Sequence, residues 1–466
     1  MLRRALIWVL VGRRLGTNMA RITRKQVTVF LSVIGVGMVA FAGTLLETAL
    51  NVTFPTLMTT FGVPLRAIQW VTTGYLLTSS WMMMLTAPLE RRVAVRRLFG
   101  WGAGLFLASL VGCAVAPTFG VLLIGRLACG VATGICIPLL FLVIETTCPP
   151  AQLGFFMAGG TVITALAPTF GPIYGGLVLQ TGNWRCVFWL LIPIVILGMI
   201  LAFPWLSQRI QQGCTPFDWW SFVLAMLLCG LGLLLANNLF RLKWFVGSSC
   251  GCGLVIILGW QWARHHRLFI DNQLFRVTHF SREFSLFFAV QMVNVALGGF
   301  VLPNYLQLSA GQSAFTVGLL LLPGLLCRVS LMPLAGRYYD RHKPAPVKEG
   351  LVIFASTLVL LAGCIYWREP RGIIAAVYCC YNAGLALVLG NLMTHAYQLV
   401  PVEMGPDVNA VLNTAQQYSG AVGIAAVSSW LTGAAHCAGQ YGNVVGIMAI
   451  VGLLIWANWT RLVSRK

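Results

Sequence analysis

The sequence predicts an all-α polytopic membrane protein, with two six-helix bundles and two further helices between them. Three observations predict it. First, 58% of the 466 residues are hydrophobic and only 9% are charged, whereas a soluble protein carries about 25% charged residues. Such a chain cannot cover a soluble surface of the size it would need. Second, apolar runs of the roughly 20 residues needed to span a bilayer recur fourteen times. Third, Lys and Arg are shared unevenly among the segments between those runs, as in a membrane topology.

Residues 1–26 are basic, and their apolar stretch Leu6–Val11 is too short to span and lacks a small-residue cleavage site after it. This segment is expected to be a tail on the cytoplasmic membrane surface, with translation starting at Met1 or Met19. The expected spans are 27–50, 68–88, 98–116, 119–142, 153–179 and 186–206, then 217–236 and 244–262, then 283–306, 315–336, 347–366, 371–392, 406–432 and 443–461. The first extends to about Thr60, because Pro55 kinks rather than ends a membrane helix. The spans define an N-terminal bundle at 27–206, a linker with two helices at 207–282, and a C-terminal bundle with a short tail at 283–466.

An even number of spans puts both termini on one side. With that side inside, 23 of the 31 Lys and Arg fall on inner segments, 6 on outer segments, and Arg126 and Arg328 within spans. Both termini are therefore expected in the cytoplasm. The net charge of +20 is accounted for by topology, and nucleic acid is not needed as a partner. The 14 cysteines have neither disulfide-framework nor zinc spacing. Cys250, Cys252, Cys379 and Cys380 read as small membrane-helix residues, and His265–His266 as a solvated pair. No nucleotide-binding loop and no catalytic constellation occurs in the sequence. The chain is expected to be neither an enzyme nor, by itself, an ATP-driven pump, and to need no cofactor or metal.

Gly160–Gly176, GTVITALAPTFGPIYGG, holds four glycines, two prolines, four Thr/Tyr hydroxyls and no charge. Glycine inside a helix costs about 1 kcal/mol relative to alanine and proline about 3. A bilayer meets that cost more easily, because neighbouring helices and hydroxyls satisfy freed backbone groups and small residues let backbones approach. The stretch reads as a kinked helix at a tight helix–helix seam, or more generically as a packing face.

Glu47 is the only carboxylate placed well inside a span, and Thr44 and Asn51 share its helical face. Thr44 and Asn51 are expected to hydrogen-bond it. An acid at that depth usually faces a cavity or a partner. It reads as the proton carrier, or as a carboxylate that only bonds its neighbours. Arg126 reads as functional or as a residue snorkelling to the outer interface, and Arg328 as snorkelling or as an anion or substrate contact in the cavity.

The pattern Ala167-x-x-x-Gly171-Pro172-x-x-Gly175-Gly176 resembles the antiporter motif of the major facilitator superfamily, with alanine in place of the first glycine. Two equal halves of six spans are similar to that fold. With the extra pair, nearly the whole chain resembles its fourteen-helix branch of drug:proton antiporters, which includes bacterial multidrug and lincomycin-type exporters. In the family's first-helix motif, Thr48, Asn51, Val52 and Pro55 match, while the acid is displaced by one residue to Glu47. Arg126, Gly130 and Gly134 match a family motif linked to proton transfer, with Cys129 in place of glutamine.

The family's cytoplasmic gate loop resembles the segment around Glu90 and Arg91, which lacks its two glycines. The related loop Gly336-Arg337-Tyr338-Tyr339-Asp340-Arg341 keeps more of the pattern. The resemblance implies proton-coupled export of apolar or amphipathic compounds across the cell membrane by alternating access. Glu47 and Arg126 would couple protons. Thr44, Asn51, Tyr75, Tyr305 and Arg328 would meet substrate, and Glu90, Arg91, Gly336, Asp340 and Arg341 would form the gate. The expected partners are a small-molecule substrate, protons and the bilayer, and the chain is expected to be monomeric. A lipid or glycolipid flippase on the same fold, and a non-transporting receptor or assembly factor, are the rival readings.

Overall fold

A computed structural model describes residues 17–90, 92–148, 153–180, 182–206, 218–239, 242–265, 278–342, 345–400, 405–431 and 438–463. Among these residues there is no strand. The N-terminal half contains α1 (Thr17–Phe61), α2 (Trp70–Glu90), α3 (Val95–Ala114), α4 (Phe119–Thr147), α5 (Leu153–Leu179) and α6 (Cys186–Ala202). The next pair is α7 (Trp219–Asn237) and α8 (Leu242–His265). The C-terminal half contains α9, which starts as Thr278–Ala296, then α10 (Ala314–His342), α11 (Ala345–Tyr366), α12 (Arg371–Gln398), α13 (Gly405–Trp430) and α14 (Ala438–Val463).

Each expected span corresponds to one of these helices. α1 continues past Pro55 to Phe61, close to the expected end, but it begins at Thr17. Part of the expected surface tail is therefore helix continuous with the first span, while residues 1–16, with Met1, lie outside the described residues. Residues 207–217 of the linker, His266 and the last three residues also lie outside them.

Among the described residues, nine helices are long and apolar enough to cross a membrane. α2 and α13 are not among them. They carry Thr72, Thr73, Thr78, Ser79 and Ser80 on one, and Asn409, Asn413, Gln416 and Gln417 on the other. The two helices form one of the main contacts between the halves, where Thr72, Thr73, Thr78, Ser79, Ser80 and Gln417 are buried by protein instead of facing lipid.

The packing repeats itself. In the N-terminal half α2 lies on α4, α1 on α5 and α3 on α4. In the C-terminal half α10 lies on α12, α9 on α13 and α11 on α12, which are the same pairings eight helices later. Between halves the main contacts are α5 with α10 and α2 with α13, again one pairing with the roles exchanged. The two bundles are thus related by an approximate twofold. α7 packs on α8 and against α13 beside this seam. The outer surface of α8 is apolar and exposed at Leu254, Ile256, Ile257 and Leu258.

Two local departures from plain helix stand out. Beyond Ala296, α9 turns π-helical at Leu297–Val301 and, after Leu302–Asn304, again at Tyr305–Ser309. Gly298, Gly299 and Pro303 loosen the ladder there, and π turns often mark functional positions. At the start of α7, Asp218 caps the helix. Its Oδ1 accepts from Trp220 N at 3.1 Å and Ser221 N at 3.3 Å, and its Oδ2 accepts from the Ser221 hydroxyl and from Trp262 Nε1 at 2.6 Å on α8. Partial burial pushes this carboxyl up, but the bonds from Ser221, Trp262 and Trp220 together hold it below the ordinary carboxylate range.

Candidate coupling and substrate site

Three helices assemble the N-terminal part of the site. Glu47 sits on α1, half-buried. Arg126 on α4 is fully buried, and its guanidinium carbon lies 4.4 Å above the ring of Tyr75 on α2. Its Nε donates to the Val71 carbonyl at 3.1 Å, while Nη1 and Nη2 have no hydrogen-bond partner among the described residues. Arg126 is the cation beside the Glu47 carboxyl. A stacked and hydrogen-bonded guanidinium of this kind does not snorkel to the membrane surface. Tyr75 donates to the Gly43 carbonyl at 3.3 Å, which fixes the ring beneath the arginine.

A fourth helix brings in the other half. Gln417 on α13 stands near the Glu47 carboxyl, and its Nε2 donates to Ser79 Oγ on α2 at 3.3 Å. The acid therefore sits beside side chains of both bundles. Gln417 was not singled out from the sequence. The signal for it was the polar run Asn413-Thr414-Ala415-Gln416-Gln417 inside an otherwise apolar span.

The same-face neighbours of Glu47 behave otherwise than expected. Thr44 Oγ1 donates to the Ala40 carbonyl of its own helix at 3.1 Å. Asn51 Oδ1 accepts from Thr72 Oγ1 at 2.9 Å, which joins α1 to α2. Threonine on a helix readily bonds back to the preceding turn, and sharing a face did not reveal that α2 would approach Asn51.

The small-residue helix splits into two seams. A side chain at Gly171 would overlap Thr48, and one at Gly175 would begin 2.5 Å from the Ala49 carbonyl. Both residues belong to α1 of the same half. A side chain at Gly176 would begin 2.5 Å from Phe315 Cα, and the reciprocal Gly318 faces the Pro172 carbonyl at 2.7 Å. Those two approaches join α5 to α10 across the halves. The stretch that reads in the sequence as one seam is two: successive residues are about 100° apart on a helix, so Gly175 and Gly176 serve different neighbours.

Further approaches between the halves are Asn51 to Gly299, the edge-to-face pair Phe54–Phe300 at 6.1 Å, and Ser428 Oγ donating to Gln69 Oε1 at 2.5 Å. With Gly176–Phe315 they lie on the Phe61 side of Glu47, the end expected outside from the charge bias. The seam is closed there. Arg66 and Gln69 also bond Asn237 and Asn238 at the end of α7, at 2.6 to 3.0 Å.

Arg328 on α10 is half-buried in the other bundle. Its Nη1 donates to Asn294 Oδ1 on α9 at 3.4 Å, and Tyr378 and Tyr381 of α12 lie beside it. Tyr75 and Tyr305 do not join a common cavity. The first is buried under Arg126, and the second packs edge-on against Tyr441 at the far end of α9, with ring centroids 5.7 Å apart.

Glu90 ends α2, Gly336 faces open space, and Arg341 is exposed. Arg91 and the side chain of Asp340 lie outside the described residues. At this end of the C-terminal half, His395 Nδ1 lies 2.9 Å from the buried Glu283, a pair that the span ends concealed in the sequence.

The profile of the Major Facilitator Superfamily matches residues 36–424. The chain is similar to the uncharacterized MFS-type transporter YhcA of Bacillus subtilis, with 30% identity over 84% of this chain and 74% of that protein. It is also similar to the lincomycin resistance protein LmrB of Listeria monocytogenes, with 28% identity over 83% of each chain. The multidrug resistance protein B homolog of Mycobacterium tuberculosis is 26% identical over 83% of this chain and 73% of its own. Among solved structures, a peptide transporter POT in complex with sulfate superposes with a TM-score of 0.66 at 16% identity, covering 93% of this chain and 94% of the other. A D-xylose–proton symporter gives the same TM-score at 15% identity, over 92% and 97%. At these identities the structures speak for the fold.

Proposed function

This chain belongs to the major facilitator superfamily, and from that premise we propose that it exports amphipathic drugs or similar compounds across the cell membrane in exchange for protons. The relatives named for lincomycin and multidrug resistance support the export of drugs. One observation carries the coupling: an acid within a membrane bundle, beside a buried arginine and near an amide from the opposite bundle. A carboxylate only accepts hydrogen bonds, whereas a protonated carboxyl also donates. Loading a proton on Glu47 therefore weakens its attraction to Arg126 and changes what it offers Gln417. Both changes fall where the two halves meet, so protonation biases the alternation between inward- and outward-open states. A substrate amine that takes the place of the proton on Glu47 completes an exchange cycle. The chain works as a monomer with both termini in the cytoplasm.

Inside-out vesicles with an imposed pH gradient test this reading. The wild type should accumulate an amphipathic amine against its gradient, and Glu47→Gln should lose the uphill part. Uphill transport by Glu47→Gln at the wild-type rate would refute the assignment. Movement of long-chain lipid without any drug would favour a flippase, and no gradient-dependent transport of either would favour a receptor.

A further inference from the structure

Resting on that reading, we infer that Arg328 holds the carboxylate of a zwitterionic amphiphile whose amine meets Glu47. The starting point is an uncompensated charge. Arg328 lies among α9, α10 and α12, and among the described residues no carboxylate pairs with it. Its one hydrogen bond there, 3.4 Å to Asn294 Oδ1, is long for a charged donor. A cation inside a bundle needs a partner, and an arginine fork fits a carboxylate with two parallel bonds.

The surroundings are arranged to present that fork. Asn294 Nδ2 donates to Gln291 Oε1 at 2.9 Å, which turns the Asn294 carbonyl toward Arg328. Tyr378 and Tyr381 stack with centroids 5.9 Å apart and planes 16° apart. Glycines make room for Tyr378: a side chain at Gly298 would begin 2.9 Å from its Oη, and one at Gly324 would begin 2.7 Å from its Cδ1. Tyr381 Oη and Asn382 Oδ1 are buried and without a hydrogen-bond partner among the described residues. Snorkelling accounts for none of this, because the guanidinium is bonded sideways to α9. The first π turn of α9 begins three residues after Asn294, and Gly299 within it faces Asn51, one turn from Glu47.

The two halves therefore offer opposite charges to one ligand, Glu47 on α1 and Arg328 on α10. On α9, Glu283 is already paired with His395. The apolar α9 surface suits an aromatic body between the charged ends. A pure lipophilic cation uses only half of such a site.

Three dansyl probes test this by fluorescence binding to the full-length protein in phosphatidylcholine nanodiscs. Nα-dansyl-lysine carries the amine and the carboxylate, dansylcadaverine lacks the carboxylate, and dansyl-aminocaproate lacks the amine. The wild type should bind dansyl-lysine at least tenfold more tightly than dansylcadaverine. Arg328→Gln should remove that preference, and Arg328→Lys should keep part of it. Glu47→Gln should weaken the two amine probes and spare the acid-only probe. Equal wild-type affinity for dansyl-lysine and dansylcadaverine overturns the inference without any variant, and so does a preference that survives Arg328→Gln. Displacement of dansyl-lysine by added phosphatidylglycerol would reassign Arg328 to a lipid headgroup and also overturn it. Gradient-driven export of dansylcadaverine by the wild type tests the exporter reading separately. A protein that exports this probe but does not favour the acid loses only the Arg328 subsite.

Discussion

Gly176→Ala puts a single methyl into the closest approach between the two bundles. An ideal Cβ there lies 2.5 Å from Phe315 Cα, 2.7 Å from its nitrogen and 2.8 Å from the Ala314 carbonyl. Ordinary contact begins near 3.4 Å, so α5 and α10 must part by the difference between 3.4 and 2.5, roughly 0.9 Å. All three atoms are backbone, and no rotamer change relieves the overlap. Overpacking of this kind costs about 1–3 kcal/mol. The cost falls on the state in which this end of the seam is closed. The equilibrium should then shift by about 5–150-fold toward the state open at this end. Phe54→Cys in a cysteine-free background reports it, because Phe54 is fully buried at the closed end against Phe300. Labelling by an impermeant maleimide from outside should accelerate by that factor, and transport should fall. Gly104→Ala, with no atom within 4 Å of its Cβ position, is the control and should change neither. An unchanged labelling rate in Gly176→Ala would show that the α5–α10 contact does not set the conformational balance.

Gly175→Ala meets the Ala49 carbonyl inside one bundle. It should lower the thermal midpoint of the purified protein while leaving Phe54→Cys labelling unchanged, and the reverse pattern would contradict the division of the two seams. Arg126→Ala should abolish gradient-driven transport, and Arg126→Lys should restore a fraction of it, because an ammonium cannot reproduce the planar stack on Tyr75 together with the Val71 bond. Full transport in the alanine variant would remove Arg126 from the mechanism. Asp218→Ala should loosen the α7–α8 hairpin by about 0.5–2 kcal/mol, the usual worth of an N-cap, and shift Trp262 fluorescence, whereas Asp218→Asn keeps a capping oxygen that does not titrate. Because the folded carboxyl titrates below its ordinary range, its stabilisation is complete above the ordinary carboxylate pKa and fades as pH falls through the lowered value. The wild-type Trp262 signal should therefore change in acid and the asparagine signal should not; identical acid profiles would exclude the cap.

The architecture was legible because span length, apolar runs and basic loops are set by the bilayer, which acts on every helix alike. The positions of Glu47 and Arg126 were legible for the same reason, since a charge inside a span is conspicuous. What lay between helices was less readable. Spacing puts Thr44 and Asn51 beside Glu47, yet one bonds its own helix and the other bonds α2. Gln417 comes near Glu47 from a helix 370 positions away in the chain (417 less 47), which no local pattern encodes. The glycines of α5 announced close packing, but their neighbours, α1 for Gly175 and α10 for Gly176, depend on how the bundles turn against each other. Glu283 and His395 each lie near a span end, and only the approach of α9 to α12 pairs them.

The central claim is that substrate and proton exchange at Glu47, and the most direct measurement is proton release on binding. Purified protein in weakly buffered solution, monitored with a pH-sensitive dye, should release up to one proton per protein when saturated with dansylcadaverine. Release should be largest at a pH where Glu47 is protonated before binding, and Glu47→Gln should bind the probe more weakly and release none. Release from Glu47→Gln equal to that of the wild type would place the exchanged proton on another group and contradict the account.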